Sequence, residues 1–316
     1  MTSGGGGGGQ ARTVVVAGSS GYIGRYLVAR LRHRGAHVRT IGRGAGNEAT
    51  WSNEQGLARA VDGADLLINL AGRSVSCRYN QRNTDEIFTS RVKTTAALAT
   101  ALHRAAAPPP LWVNASTGTI YRDARDRPQD EATGDLGGGF SVEVARAWER
   151  ELAGAPDGVR TVALRMSIVL GAGGGAINPI INLTRMGFGG PMGDGGQMFS
   201  WAHVEDVARA IDHLEAHADL RGPVNVATPN PVTNAELMQQ MRETFGAPFG
   251  IPEPRWLLDL GARVIQTEPE LVLKSRWVHP GVLLASGFEF LFPTLPQALA
   301  QIASRTRPGL LPVQLG

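Results

Sequence analysis

The chain has 316 residues, a formal charge of +3, a single cysteine and a mean hydropathy of −0.10, and is long enough for one large domain or a large and a small one. One thiol, Cys77, excludes an internal disulfide framework and fits a reducing compartment, so we expect a soluble cytoplasmic protein. Lys93 and Lys274 are the only lysines, the arginines are scattered among Asp and Glu without a run, and no apolar stretch approaches the ~20 residues that span a bilayer. Neither a nucleic-acid partner nor a membrane is expected.

Residues 1–11 open in polyglycine and read as a flexible tail. Thr13 to Ala17 is a short apolar strand, and Tyr22, Ile23, Leu27, Val28 and Leu31 mark one face of a helix after it. His37 to Ile41 is a second strand, and Asp65 to Gly72 a buried one that ends in small residues. A long helix is expected over Thr84 to Ala106, halted by Pro108 to Pro110 just before the strand Leu111 to Asn114. Phe140 to Leu152 reads as helix, Val159 to Arg165 as strand, and Gly171 to Gly175 as a loop or change of direction. Ile177 to Gly196, rich in glycine, suits loops and short helices over a cleft, with Phe188, Met192, Met198, Phe199 and Trp201 available to enclose a small substrate or simply to pack a core. Further on, His203 to His217 is helical, Val224 to Ala227 a strand, and Thr233 or Asn234 caps a helix through Phe245. Pro248, Pro252 and Pro254 resemble a linker before helical patterning from Arg255 to Ala303. The alternation predicts an α/β fold, a Rossmann-type doubly wound parallel sheet over residues 12–245 including a substrate cap, and a small C-terminal domain over 246–316.

The most informative stretch is Gly18-Ser19-Ser20-Gly21-Tyr22-Ile23-Gly24. Gly18 permits a tight turn, Gly21 a close approach of backbone to a pyrophosphate, and Gly24 the packing of helix on strand, with the helix N-terminus facing the phosphate charge. A strand before it and an amphipathic helix after it supply the context this pattern needs. At the end of the second strand stand Gly42 and Arg43, and no Asp or Glu occurs between Thr13 and Asn47. An acid there would hold the ribose of NAD, whereas a guanidinium grips the 2′-phosphate of NADP, so NADP(H) is the expected cofactor. The alternative for Arg43 is a solvated surface arginine.

With these residues in view, the chain resembles the extended short-chain dehydrogenase/reductase superfamily. More narrowly it is similar to atypical epimerase-family proteins that carry a small C-terminal domain of unknown function. The glycine turn carries the resemblance, with Ile68-Asn69-Leu70-Ala71-Gly72, Glu86 with Ser90-Arg91, Arg165 through Leu170-Gly171, and His203 to Ala208. Gly187 to Gly193 followed by Phe199, Trp201 and His203, and Gly287-Phe288-Glu289-Phe290 with Pro293-Thr294-Leu295, carry it further. Gly18, Arg43, Leu70 to Gly72, Ser116 and Arg165 to Val169 all fall at expected strand ends, where ligands collect in such sheets. The resemblance implies that these residues, with Glu86 and Arg91, face the cofactor. Leu70 and Val169 read equally as core residues, and Arg165 as an ion-pair partner. Glu86 and Arg91, five apart, suit separate contacts rather than a pair. His203 and Asp206 suit a structural polar pair, since two ligands are too few for a metal.

The superfamily's usual chemistry takes a tyrosine and, four residues later, a lysine. Tyr22, Tyr26, Tyr79 and Tyr121 are the only tyrosines, and none precedes a lysine at that spacing. Where the motif should fall, Gly139 replaces the tyrosine and Glu143 the lysine. Ser116 could still bond a substrate carbonyl and Tyr121 donate a proton, although a structural Tyr121 is preferred. Two functions follow as expectations: an NADP(H)-dependent oxidoreductase or nucleotide-sugar epimerase-like enzyme acting on a small molecule, or a non-catalytic NADPH-binding sensor or regulator. Relatives of this kind commonly dimerise through two sheet-flanking helices, which is the basis for expecting a homodimer.

Overall fold

A computed structural model describes residues 11–253 and 273–313. Its centre is a seven-stranded parallel sheet. The strands are β1 (Thr13–Ala17), β2 (His37–Gly42), β3 (Ala49–Thr50), β4 (Leu66–Asn69), β5 (Leu111–Thr117), β6 (Arg160–Met166) and, late in the chain, β10 (Gly222–Val226). They lie in the order β10-β6-β5-β4-β1-β2-β3, so the order reverses beside β1 and a crevice opens at its carboxyl end.

Alternation along each strand supplies two apolar faces. Val14, Val16, Leu66, Ile68, Val113, Val162, Leu164, Val224 and Val226 face α1 (Tyr22–His33) and α6 (Val204–Ala216). Val15, Ala17, Leu67, Trp112 and Ala163 face α2 (Glu54–Val61) and α3 (Gln81–Arg104). Over the same face lies α4 (Phe140–Arg150), which tightens into a 3₁₀ turn at Glu151–Gly154 instead of running on to Leu152 as expected. The helix expected from Thr84 begins at Gln81, because the Asn80 side chain accepts the Asn83 N–H and caps the chain a turn earlier.

Two small β-pairs and four helices build the remainder of the described residues. β7 (Ile168–Leu170) pairs in parallel with β9 (Trp201–His203), and β8 (Met198–Phe199) pairs antiparallel with β11 (Val232–Thr233). α5 (Ile177–Arg185) and α7 (Asn234–Phe245) follow the pattern read from sequence, with Thr233 and Glu236 forming a capping box. Of the C-terminal helical patterning, α8 (Gly281–Ala285) and α9 (Leu295–Ser304) are seen, and residues 254–272 lie outside the described residues. Leu283 and Phe288 enter the core beneath α6, while Leu295, Ala298, Leu299 and Ile302 share a core with α5, α7 and Trp201. No helix among the described residues is long and apolar enough to cross a membrane.

Polar anchors fix α6 between the sheet and the C-terminal segment. On the sheet side, Arg30 of α1 pairs with Glu205 at 3.1 Å and Asp212 at 2.8 Å. Leu291 and Phe292 donate their backbone N–H groups to Asp206 at 2.6 and 3.0 Å. His203 caps α6 by accepting the Glu205 N–H on Nδ1, and its Nε2 meets Gln301 of α9 at 3.1 Å. Both ring nitrogens are thus used by the neutral form, and burial pushes the His203 pKa down to about 4. In the unfolded chain the ring takes up its proton near pH 6.5, so its share of stability is complete above that pH and is lost on acidification toward 4, about 3 kcal/mol in all. Thermal melting of His203→Gln should therefore fall less steeply between pH 6.5 and 4 than that of the unaltered protein; parallel curves would contradict a neutral buried ring.

Candidate nucleotide-binding crevice

The turn after β1 is built by exclusion of side chains. Gly18 has a φ of +80°, and a Cβ there would lie 2.6 Å from the Leu70 carbonyl carbon and 2.7 Å from the Ala71 nitrogen. A Cβ on Gly24 would collide with the Gly18 carbonyl oxygen, so α1 starts directly on the turn. Gly21 is different: the nearest protein atom to its Cβ position is 3.5 Å away, and it is exposed. As N-cap of α1 it offers no side-chain acceptor, and the first turn contains no acid. The leading N–H groups of α1 therefore point into the crevice without a protein anion before them. Tyr22 and Ile23 turn their side chains to the protein. The Tyr22 ring lies where a Cβ on Gly174 or Gly175 would come within 2.9 Å, and Ile23 packs on the core under α1. Gly173, Gly174 and Gly175 all have positive φ, which lets the chain reverse there.

Opposite the turn, the exit of β4 is held by a buried amide network. Asn69 accepts the Ala71 N–H at 3.0 Å and donates to Asn114 Oδ1 at 2.7 Å and Thr95 Oγ1 at 3.2 Å, and the Trp148 indole donates to the same Thr95 oxygen. Leu70, Ala71 and Gly72 are thereby fixed as one wall of the crevice.

Beyond the turn, toward β2, lies a cavity of ≈390 Å³ lined by Ser19, Arg25, Arg32, Thr40, Gly46 and Asn47. Gly42 is crowded by the Asn47 amide, and Arg43 stands exposed beside the cavity without lining it. Arg25 and Arg32 were not singled out from sequence; their seven-residue spacing on the helix that follows the turn places both on one face and is the signal that would have found them.

The other expected residues divide. Glu86 is an ion-pair residue, bound to Arg73 and, at 3.0 Å, to Arg82. Arg91 stands over Trp148 and beside Gly72, apart from Glu86. Val169 lies in mid-β7, half-buried and packed on the core.

Ser116, Tyr121 and Arg165 meet in the layer between the sheet and α4. Ser116 Oγ donates to Glu149 Oε1 at 2.5 Å, and Arg165 donates to both oxygens of the same carboxylate at 2.8 Å. Arg165 also donates to the Tyr121 hydroxyl at 2.9 Å, which donates to Asn225 at 3.0 Å. Burial pushes the Tyr121 phenol above its ordinary pKa of 10.0, against the pull of Arg165. In this geometry the Ser116 hydroxyl is engaged by a carboxylate rather than turned to a substrate carbonyl, and Tyr121 is a buried link, the structural role preferred for it from the sequence. Thr117, on the other side of β5, is half-buried, with Oγ1 accepting the Thr119 N–H. Lys274 and Arg276 reach the same loop at Thr119, a convergence across some 155 residues that no local pattern announces.

For the residues read as either cap or core, the structure favours packing. Trp201 and Met192 are core residues with Phe199 packed against them, while Phe188 is exposed. Gly139 is the N-cap of α4 with a φ of +89°, and Glu143 points outward beside a cavity of ≈540 Å³ that Arg146, Glu149, Arg150 and Arg165 also line. His203 and Asp206 bond elsewhere rather than to each other, and the described residues contain no group of three metal-ligating side chains.

Sheet order, glycine turn and crevice define a dinucleotide-fold protein of short-chain dehydrogenase topology. The family model described as NAD dependent epimerase/dehydratase matches residues 14–227, and one described as a domain of unknown function, DUF1731, matches 254–302. Mouse epimerase family protein SDR39U1 is 33% identical over 300 residues, covering 92% of this chain and 99% of its own. A crystal structure of human SDR39U1 (isoform 2) with NADPH superposes with a TM-score of 0.85 at 31% identity, covering 93% of this chain and all of that one. A nucleoside-diphosphate sugar epimerase from Corynebacterium glutamicum superposes with a TM-score of 0.75 at 28% identity, over 93% of this chain and 58% of that one. The chain belongs to the NAD dependent epimerase/dehydratase family, and the SDR39U1 epimerase-family proteins are relatives along nearly its whole length.

The Glu149–Arg165 pair is largely withdrawn from water, with side chains 17% and 8% exposed. Glu149→Ala leaves the guanidinium and the Ser116 hydroxyl without their acceptor and should cost about 3–5 kcal/mol in urea unfolding. A loss below about 1 kcal/mol would show that this layer does not hold α4.

Proposed function

We propose that the protein binds NADP(H) in the crevice at the carboxyl ends of β1, β2 and β4. The observation that carries this reading is the first turn of α1, free of acid and side-chain cap and opposed by the fixed Leu70–Gly72 wall. The backbone of residues 18–24 lies against the diphosphate, Gly42 and Arg43 against the adenosine ribose, and Arg25 and Arg32 place two further guanidinium groups beside the cavity where a 2′-phosphate fits. The NADPH in the human relative's crystal structure supports the same choice of cofactor. When bound, this cofactor supplies hydride transfer.

The leading reading for this chain is oxidoreductase or epimerase-like chemistry on a small molecule, run without the tyrosine–lysine pair that its sequence lacks. A second reading, a sensor that holds NADPH without turnover, is favoured by one observation: the Ser116 and Tyr121 hydroxyls are both committed to the layer under α4.

Calorimetry of the purified protein should show NADPH binding more tightly than NADH. Arg43→Glu should abolish that preference, and Arg25→Ala combined with Arg32→Ala should weaken NADPH about 10–100-fold, the loss of one charge-assisted contact. Undiminished NADPH selectivity in both variants would contradict the assignment. Decay of bound NADPH absorbance on addition of a carbonyl panel separates the enzyme from the sensor.

A further inference from the structure

After α9 the chain turns back, and residues 307–313 run over α5. Three side chains on that helix read the backbone of the segment. Arg185 donates Nη1 to the Arg307 carbonyl at 3.2 Å and also to that of Gly309. Asn182 meets Leu311 as one peptide group meets another: its Nδ2 donates to the Leu311 carbonyl at 2.9 Å, and its Oδ1 accepts the Leu311 N–H at 2.8 Å. Asn178 donates to the Pro312 carbonyl at 3.0 Å and is only 6% exposed. The three recur at helical spacing, so they form one polar row along α5. Leu311 packs on the core that Ile177 and Ile181 share with Leu170. Main-chain contacts supply the hold here, and one apolar seat selects the side chain.

α5 depends on this cover. It has nine residues, too few to persist as a helix alone, with no side-chain cap and no acid in its first turn. Glycines of positive φ flank it, Gly173 to Gly175 before and Gly187 after. Without the segment, the Asn178 and Asn182 amides lose the only partners they have among the described residues. The start of α5 also abuts the first turn of α1. Ile177 follows two residues after Gly175, where a Cβ would lie 2.9 Å from the Tyr22 ring. Tyr22 opens α1 and donates its hydroxyl to the Ala172 carbonyl at 3.4 Å. We propose that this face of α5 is a docking site for an extended apolar peptide, filled by the chain's own residues 307–313, and that the docked segment straps α5 against Tyr22 and slows release of the nucleotide. The strap rests on the reading of the crevice as a nucleotide site; the docking site does not.

The test compares the full-length protein, full-length Asn182→Ala, and a chain stopped after Thr306, the last with and without a synthetic peptide of residues 307–316. Amide hydrogen exchange is followed over residues 171–186, with β1 and β4 as controls, and NADPH release is timed after a chase with excess NADP+. In the shortened chain, exchange over 171–186 should quicken about 10-fold, as for the loss of one buried hydrogen bond, and NADPH should leave faster by a similar factor. Asn182→Ala should move both in the same direction. The peptide should restore both to the shortened chain, and the same peptide with Leu311→Asp should restore neither. Unchanged exchange over 171–186 in both variants, or a peptide without effect, overturns the docking site. Faster exchange with unchanged NADPH release overturns the strap. If the shortened chain loses protection in β1 and β4 as well, Asn182→Ala decides by the same criteria. If the unaltered protein takes up no NADPH, the nucleotide reading fails; protection of 171–186 by the peptide would still support the docking site, and its absence would overturn it.

Discussion

The architecture turns on the contact between the Gly18 turn and the chain leaving β4. A single added carbon at Gly18 would sit 2.6 Å from the Leu70 carbonyl carbon, so the two backbones are as close as peptide planes permit. That closeness makes the crevice narrow, aims the first N–H groups of α1 into it, and requires the Asn69–Asn114–Thr95 network to hold the β4 exit still. A looser wall would leave the helix terminus facing water, where its partial charge is screened and of little use to a ligand.

Charge in the surrounding layer is distributed with the same economy. Several cations are neutralised within the fold: Arg30 by Glu205 and Asp212, Arg73 by Glu86, Arg165 by Glu149. The ones at the crevice are different. Arg25 and Arg32 face a cavity and Arg91 faces the space at Gly72, none of them in an ion pair with a described carboxylate. Positive charge is thus held in reserve along a line from the β2 end to the β4 exit, the course that an anionic dinucleotide follows in such a sheet. The hydroxyls of Ser116 and Tyr121, by contrast, are spent on structure, which is why cofactor binding is the better supported half of the functional reading.

Much of this was legible in the sequence because it depends on local rules. Three glycines at fixed spacing between an apolar run and an amphipathic helix specify the turn, and period-2 apolar runs separated by period-3.6 ones specify the parallel sheet. Helix limits shifted where a side chain outside the periodic pattern acted as cap, as Asn80 does for α3. The chemistry of individual polar residues was less legible, since it is fixed by partners far along the chain. Ser116 looks available until Glu149 arrives from α4, and Tyr121 looks like a loop residue until Arg165 and Asn225 bury it. Trp201 and Met192 read equally as substrate cap or core until α7 and α9, which cover them, are seen. Arg25 and Arg32 were hidden for the opposite reason: two exposed arginines on a helix are ordinary until the cavity between α1 and the loop after β2 is seen.

The most direct test is a crystal structure of the protein grown with saturating NADPH. The diphosphate oxygens should lie within hydrogen-bond reach of the backbone N–H groups at the start of α1, and the 2′-phosphate in the cavity beside Arg25 and Arg32. A crevice that stays empty under those conditions, or a nucleotide seated away from the Gly18 turn, would contradict it.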